Sequence, residues 1–104
     1  MSHSLCRIWV HGILGTKNRQ DFITPDIEPQ IHDLIKIQFK ELKCPLPIIN
    51  GVENHLHVLF MLNKSMSVAQ VFKQVKGSVS HEINHQSLTP YPFSWQTGYG
   101  AFSV

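Results

Sequence analysis

Charged side chains are scarce in this sequence: Asp, Glu, Lys and Arg make up 15% of its 104 residues, against about a quarter in an ordinary globular chain. The surface must therefore be built partly from Asn, Gln, Ser, Thr and His, with some apolar area available to a partner chain. Cysteine is nearly absent, with only Cys6 and Cys44. Neither belongs to a CxxC pair or a metal-ligand spacing, which excludes a disulfide framework and a cysteine-based zinc site; both thiols are expected to be reduced and structural, as small hydrophobes. Long apolar runs are missing too. None approaches the roughly 18 residues of a membrane helix, and no basic segment followed by an apolar stretch marks a secretory signal. These absences predict a cytoplasmic protein without a membrane partner.

What remains is 42% hydrophobic with a formal net charge of +2, a composition that excludes intrinsic disorder and supports one small core, read as a single domain over residues 1–104. The positive charge is slight but unevenly placed. Arg7, Lys17 and Arg19 precede the first acid, Asp21, and Lys64, Lys73 and Lys76 precede Glu82. Two basic regions result, compatible with a nucleic-acid partner or with ordinary solvation.

Ser4 to Leu14 is rich in Leu, Ile, Trp and Val and predicts a strand that ends at Gly15 and the polar run Thr16 to Asp21. Thr24 or Asp26 can cap a helix, Pro25 or Pro29 suits its first turn, and Ile27, Ile31, Leu34, Ile35, Phe39 and Leu42 form its apolar stripe. Cys44-Pro45-Leu46-Pro47 stops it. Leu46 to Val52 and His55 to Leu62 predict two strands joined tightly at Glu53-Asn54, the second apolar on both faces and so central to a sheet. Ser67 can cap a second helix with the stripe Val68, Val71, Phe72, Val75, Val79 and Ile83; Gly77 lies off that stripe and predicts close approach of another group. A loop, Ser87 to Ser94, leads to a final strand from Trp95 to Val104. The order βαββαβ predicts an α+β, ferredoxin-like fold: a four-stranded antiparallel sheet with two helices on one face.

The tripeptide His55-Leu56-His57 is the most informative in the chain. Residues two apart on a strand share a face, so both imidazoles project together and could share one ion, Mg²⁺, Mn²⁺ or a transition metal, leaving coordination positions open for a phosphate. Taken alone, the same spacing also describes two histidines that merely share a strand face. His81 and His85, four apart on the second helix with Glu82 beside them, are expected to be surface residues.

The segment Gly51-Val52-Glu53-Asn54-His55-Leu56-His57-Val58-Leu59-Phe60 follows His11 and Thr16-Lys17-Asn18-Arg19. It precedes Phe72-Lys73-Gln74-Val75-Lys76-Gly77 and Trp95-Gln96-Thr97-Gly98-Tyr99-Gly100-Ala101-Phe102-Ser103. In that order the segments resemble the single-tyrosine HUH transposases of bacterial insertion sequences and their REP-associated relatives, HUH standing for histidine, hydrophobe, histidine. The resemblance spans essentially the whole chain and implies the same ferredoxin-like fold.

It further implies a DNA transposase that cleaves and rejoins single-stranded DNA through a metal-assisted phosphotyrosine intermediate. His55 and His57 would be the metal residues, Mg²⁺ or Mn²⁺ the cofactor, and single-stranded or hairpin DNA at element ends the substrate of a homodimer. Two departures stand out. Asn54 occupies the position before the first histidine where the family commonly has aspartate. The family's nucleophilic tyrosine lies on a helix after the final strand, to which neither Tyr91 nor Tyr99 corresponds, so the chain is expected to be C-terminally short and to lack the nucleophile. A catalytically inactive HUH domain that binds hairpin or single-stranded DNA is the alternative expectation. Lys17, Arg19, Lys73 and Lys76 are candidate phosphate contacts and Trp95 a candidate stacking platform, as single-strand binding surfaces combine cations with aromatic faces; solvated lysines and a core tryptophan are the plainer expectations for the same residues.

Overall fold

A computed structural model describes residues 7–46 and 48–104. Its elements are β1 (Trp9–Gly15), α1 (Glu28–Glu41), β2 (Ile48–Val52), β3 (His55–Met61), α2 (Val68–His85) and β4 (Gly100–Ser103), with a 3-10 turn at Lys17–Arg19. The strands form one sheet in the order β2-β3-β1-β4, and each neighbouring pair is antiparallel. With both helices on one face, this is the ferredoxin-like arrangement that the element order predicts.

The two-residue period of the strands sets which side chains meet the helices. Val10 and Leu14 of β1 and Leu56, Val58 and Phe60 of β3 are buried, and they join Ile31, Ile35 and Phe39 of α1 and Val71, Phe72, Val75, Val79 and Ile83 of α2 in one core. Both predicted helix stripes are therefore the buried faces. Ser67 caps α2 through a capping box: its hydroxyl accepts from the Gln70 amide at 3.1 Å, and its own amide donates to Gln70 Oε1 at 2.8 Å. α1 starts differently from the expectation. Its N-cap is Ile27, without a side-chain bond, because the Thr24 hydroxyl donates to Asp26 instead; Pro29 does lie in the first turn. Cys44 is buried, reduced and accepts the Asn63 amide at 3.4 Å, whereas Cys6 lies outside the described residues.

Three expectations are corrected. The final strand is shorter than Trp95 to Val104: Trp95 makes only an isolated bridge to Thr16, and Gly98, at φ 82°, turns the chain before β4 begins at Gly100. Gly77 has open space where a Cβ would stand, so no described residue approaches it closely; the glycines that do meet close neighbours are Gly12, under Phe72, and Gly51, against the backbone of His55 and Leu56. The first strand runs from Trp9 to Gly15, and the predicted portion at Ser4 to Cys6 lies outside the described residues, as does Pro47 before β2.

One corner is tied by a dense set of polar contacts. Thr16, fully buried, donates its amide to Asn54 O at 2.9 Å, and its hydroxyl lies 2.6 Å from Gln20 O and 3.1 Å from Asn54 O. Beside it, Lys17 N donates to Ser94 O, Gln96 N to Gly15 O and Ile23 N to Glu53 O. The end of β1, the β2–β3 turn and the segment before β4 are thus joined next to His55.

Gly12 lies under Phe72: an added Cβ would collide with Phe72 Cζ and stand 2.9 Å from its Cε1. Gly12→Ala is expected to destabilise by about 1–3 kcal/mol, as overpacked cores do. Phe72→Leu should relieve most of that increment in the double variant. Urea denaturation of the four proteins of the cycle checks it, and additive effects would count against the close contact.

Candidate metal and nucleic-acid site

The sheet face opposite the helices carries the histidines. His55 and His57 of β3 and His11 of β1 are all half-buried there, while Leu56 and Val58 between and beside them face the core. Register brings His11 close: His57 pairs with Ile13 and His11 with Leu59, which sets His11 diagonally across from His57. The ring centroids of His55 and His57 lie 5.2 Å apart, and those of His11 and His57 5.1 Å. His11 Nε2 is 2.9 Å from His57 Nδ1, a hydrogen-bond distance, and His55 Nδ1–H donates to Asn54 Oδ1 at 2.8 Å. Burial, then the neighbouring His55 and His11, lower the His57 pKa below the ordinary 6.5 and favour its neutral form.

Two hollows flank the pair. One of about 440 Å³ is lined by His11, Asn50, His57 and Leu59 on the open face. The other, of about 280 Å³, brings His55 together with Arg19, Gln96 and Tyr99. Among the described residues no three His, Cys, Asp or Glu side chains are grouped so as to hold a metal; the histidine pair therefore offers nitrogen donors without a carboxylate beside them.

The basic and aromatic candidates are distributed unequally around this site. Lys17 and Arg19 are exposed on the 3-10 turn, and the structure brings Arg19 to the His55 hollow. Lys73 instead lines a groove between α1 and α2, on the other side of the sheet. Lys76 turns inward: its ammonium donates to Gln96 O at 2.7 Å and to Gly98 O at 2.6 Å, tethering the turn before β4, and burial lowers its pKa. Trp95 is half-buried, edge-on to Phe93 at 4.8 Å, with its indole nitrogen buried and unpartnered among the described residues. Tyr91 packs on Phe22 at 5.4 Å, and Tyr99 stacks on Phe72 at 4.3 Å. His81 and His85 stack in parallel, exposed on α2.

Sequence reasoning did not place His11 in the site, because its approach to His57 depends on strand register; its presence among the residues of the resemblance and the alternation His11-Gly12-Ile13, matched to that of β3, were the signals. The tether made by Lys76 was likewise hidden, since it depends on the path of a loop twenty residues away.

The sequence profile of the family described as "Transposase IS200 like" matches residues 4–104. The chain belongs to the IS200-like transposase family. Its fold is similar to that of several solved structures. A Deinococcus radiodurans R1 protein described as a candidate transposase superposes with a TM-score of 0.88 at 15% identity, over 100% of this chain and 84% of that one. A REP-associated tyrosine transposase bound to a REP hairpin gives 0.70 at 11% identity, and the IS200-like chain spans 62% of its length. The C-terminal domain of MgtC from Mycobacterium tuberculosis, at 0.50 and 11%, shares the architecture alone, a reminder that this fold hosts unrelated functions. No curated protein matches the sequence significantly. No helix among the described residues is long and apolar enough to cross a membrane.

Burial lowers the pKa of His32 on α1 as well, with Lys36 adding to the shift against Glu28 and Asp33. His32 and His57 both bind fewer protons folded than unfolded, so their contribution to stability is complete above pH 6.5 and is lost as pH falls through that value toward the lowered native ones. Metal-free protein should show a lower urea midpoint at pH 5.5 than at pH 7.5, and His32→Gln should narrow the difference; an unchanged midpoint would contradict the burial of both rings.

Proposed function

We propose that the open sheet face is the metal and DNA face of a single-tyrosine HUH transposase domain, with His55 and His57 holding one divalent cation, Mg²⁺ or Mn²⁺, against a phosphate of single-stranded or hairpin DNA at an element end. The observation that carries this reading is the shared face of the two imidazoles, 5.2 Å apart on a strand whose other face is locked in the core. The donor set fits such an ion: two neutral nitrogens leave positions for oxygen ligands, and the lowered pKa of His57 keeps it in the form that can donate. A bound cation would polarise a nonbridging phosphate oxygen and favour departure of the 3′-hydroxyl.

The chain's own residues orient the strand. Arg19, beside His55, puts a guanidinium where a backbone phosphate can be held, and Lys17 adds charge on the same turn. Lys73 and Lys76 lie on α2, where Lys73 can meet DNA only by a path round the helices and Lys76 acts by holding the Gln96–Gly98 turn. Trp95 supports that turn at the core edge and offers its remaining exposed surface to a base. The hairpin-bound structural neighbour supports a hairpin ligand. Exposed Ile48, Val52, Phe102 and Val104 support a homodimer.

Cleavage requires a tyrosine hydroxyl to attack phosphorus, forming a 5′-phosphotyrosine and releasing the 3′-hydroxyl. Tyr91 and Tyr99 are both engaged in aromatic packing. That observation favours a second reading of the described residues, in which the domain binds hairpin or single-stranded DNA and metal without cutting.

Incubation with labelled hairpin DNA and Mn²⁺ should give binding that weakens steeply with salt, and Arg19→Ala should lower the slope of log K against log salt by about 0.7–0.9. His57→Ala should abolish Mn²⁺ binding with the circular dichroism spectrum unchanged. Salt-independent DNA binding, or undiminished Mn²⁺ binding by His57→Ala, would overturn the first reading. A covalent adduct that survives denaturation and is lost in Tyr99→Phe would overturn the second.

A further inference from the structure

We infer that His11 is a positioning residue for the cation site: it accepts the Nδ1 proton of His57 and so fixes the tautomer in which His57 Nε2 is free to bind a divalent cation. The inference rests on the assignment of His55 and His57 as metal residues and adds a role for a side chain on a different strand.

Asn54 Oδ1 can only accept, so the 2.8 Å contact makes His55 Nδ1 the protonated nitrogen and leaves the lone pair on Nε2. Asn54 thereby serves as the outer partner of a metal histidine although it carries no charge. His57 Nδ1 has no such unambiguous acceptor. Its partner, at 2.9 Å, is His11 Nε2, and between two neutral imidazoles one ring must donate and the other accept. If His11 donated, His57 would carry its proton on Nε2, and that nitrogen could not bind a cation. If His11 accepts, both His55 and His57 present Nε2 lone pairs, and the pair is chemically matched. Metal histidines generally donate their second ring N–H to such an outer partner, and loss of that partner typically weakens metal binding by roughly 10- to 100-fold.

The surroundings hold His11 in place for this role. Gly12, pressed under Phe72, and His11 are consecutive on β1, so the packing on one face fixes the direction of the imidazole on the other. Phe102 of β4, paired in register with His11, lies 6.2 Å away ring to ring, and among the described residues no Asp or Glu groups with the histidines to compete for the proton.

The tautomer is read directly by long-range ¹H–¹⁵N correlation NMR on the metal-free protein above pH 7.5, and metal affinity by titration with Mn²⁺. The expected result is Nδ1–H on His57 in the wild type and conversion to Nε2–H in His11→Ala. Mn²⁺ binding should weaken roughly 10- to 100-fold in that variant, with substantial recovery in His11→Gln, whose amide oxygen can accept the same proton. Backbone amide shifts of the core strands report that each variant is folded. An Nε2–H tautomer in the wild type, or a His11→Ala protein that keeps both tautomer and affinity, overturns the inference. His57→Ala separates the two levels: if it still binds Mn²⁺ like the wild type, the metal assignment itself fails; if it does not while His11→Ala does, only the role of His11 fails.

Discussion

The register of β3 is the constraint on which this structure depends. Leu56, Val58 and Phe60 are fully or almost fully buried beneath the helices, and the residues between them face the open side. A slip of one residue would exchange the two sets. It would forfeit roughly 1.5–3 kcal/mol for each buried side chain brought to solvent and would thrust His55 and His57 into an apolar layer. The packing that holds the central strand therefore also aims both imidazoles, and the candidate site needs no separate scaffold. This is why a segment with so few charged residues can carry a defined polar constellation: its geometry is set from the opposite face.

The same two-sidedness recurs in β1. Gly12 admits Phe72 on the helix side, and its neighbours His11 and Ile13 meet β3 on the other. The open face is thus neither a second core nor an ordinary polar surface. It combines three half-buried imidazoles with exposed Ile48, Val52 and Phe102.

Much of the fold was legible because it depends on short-range patterns. The α2 stripe from Val68 to Ile83, the Ser67 cap and the alternation of β3 are all statements about neighbours within four residues, and the structure follows them. The β4 boundary was not legible: Trp95 and the residues after it have strand-like composition, but Gly98 turns the chain and Lys76, from another element, ties that turn down. The histidine pair was visible as a motif since strand geometry alone puts His55 and His57 on one side. His11 was not, because which residue of β1 stands near His57 is decided by pairing and not by either strand's own sequence. Lys76 shows the reverse case, a lysine on a polar helix face whose acceptors are backbone carbonyls that only the folded loop supplies.

The buried Thr16 corner has a kinetic consequence. Hydrogen bonds there join the end of β1, the β2–β3 turn at Glu53 and Asn54, the approach to α1 at Ile23, and the residues Ser94 and Gln96 before β4. Loops usually open independently and at little cost, but segments sharing one buried node must release it together. The edge of the site beside His55 accordingly behaves as a single cooperative unit, closing and opening with the sheet itself. Asn54, held by its carbonyl to Thr16 and by its side chain to His55, passes that rigidity to the imidazole.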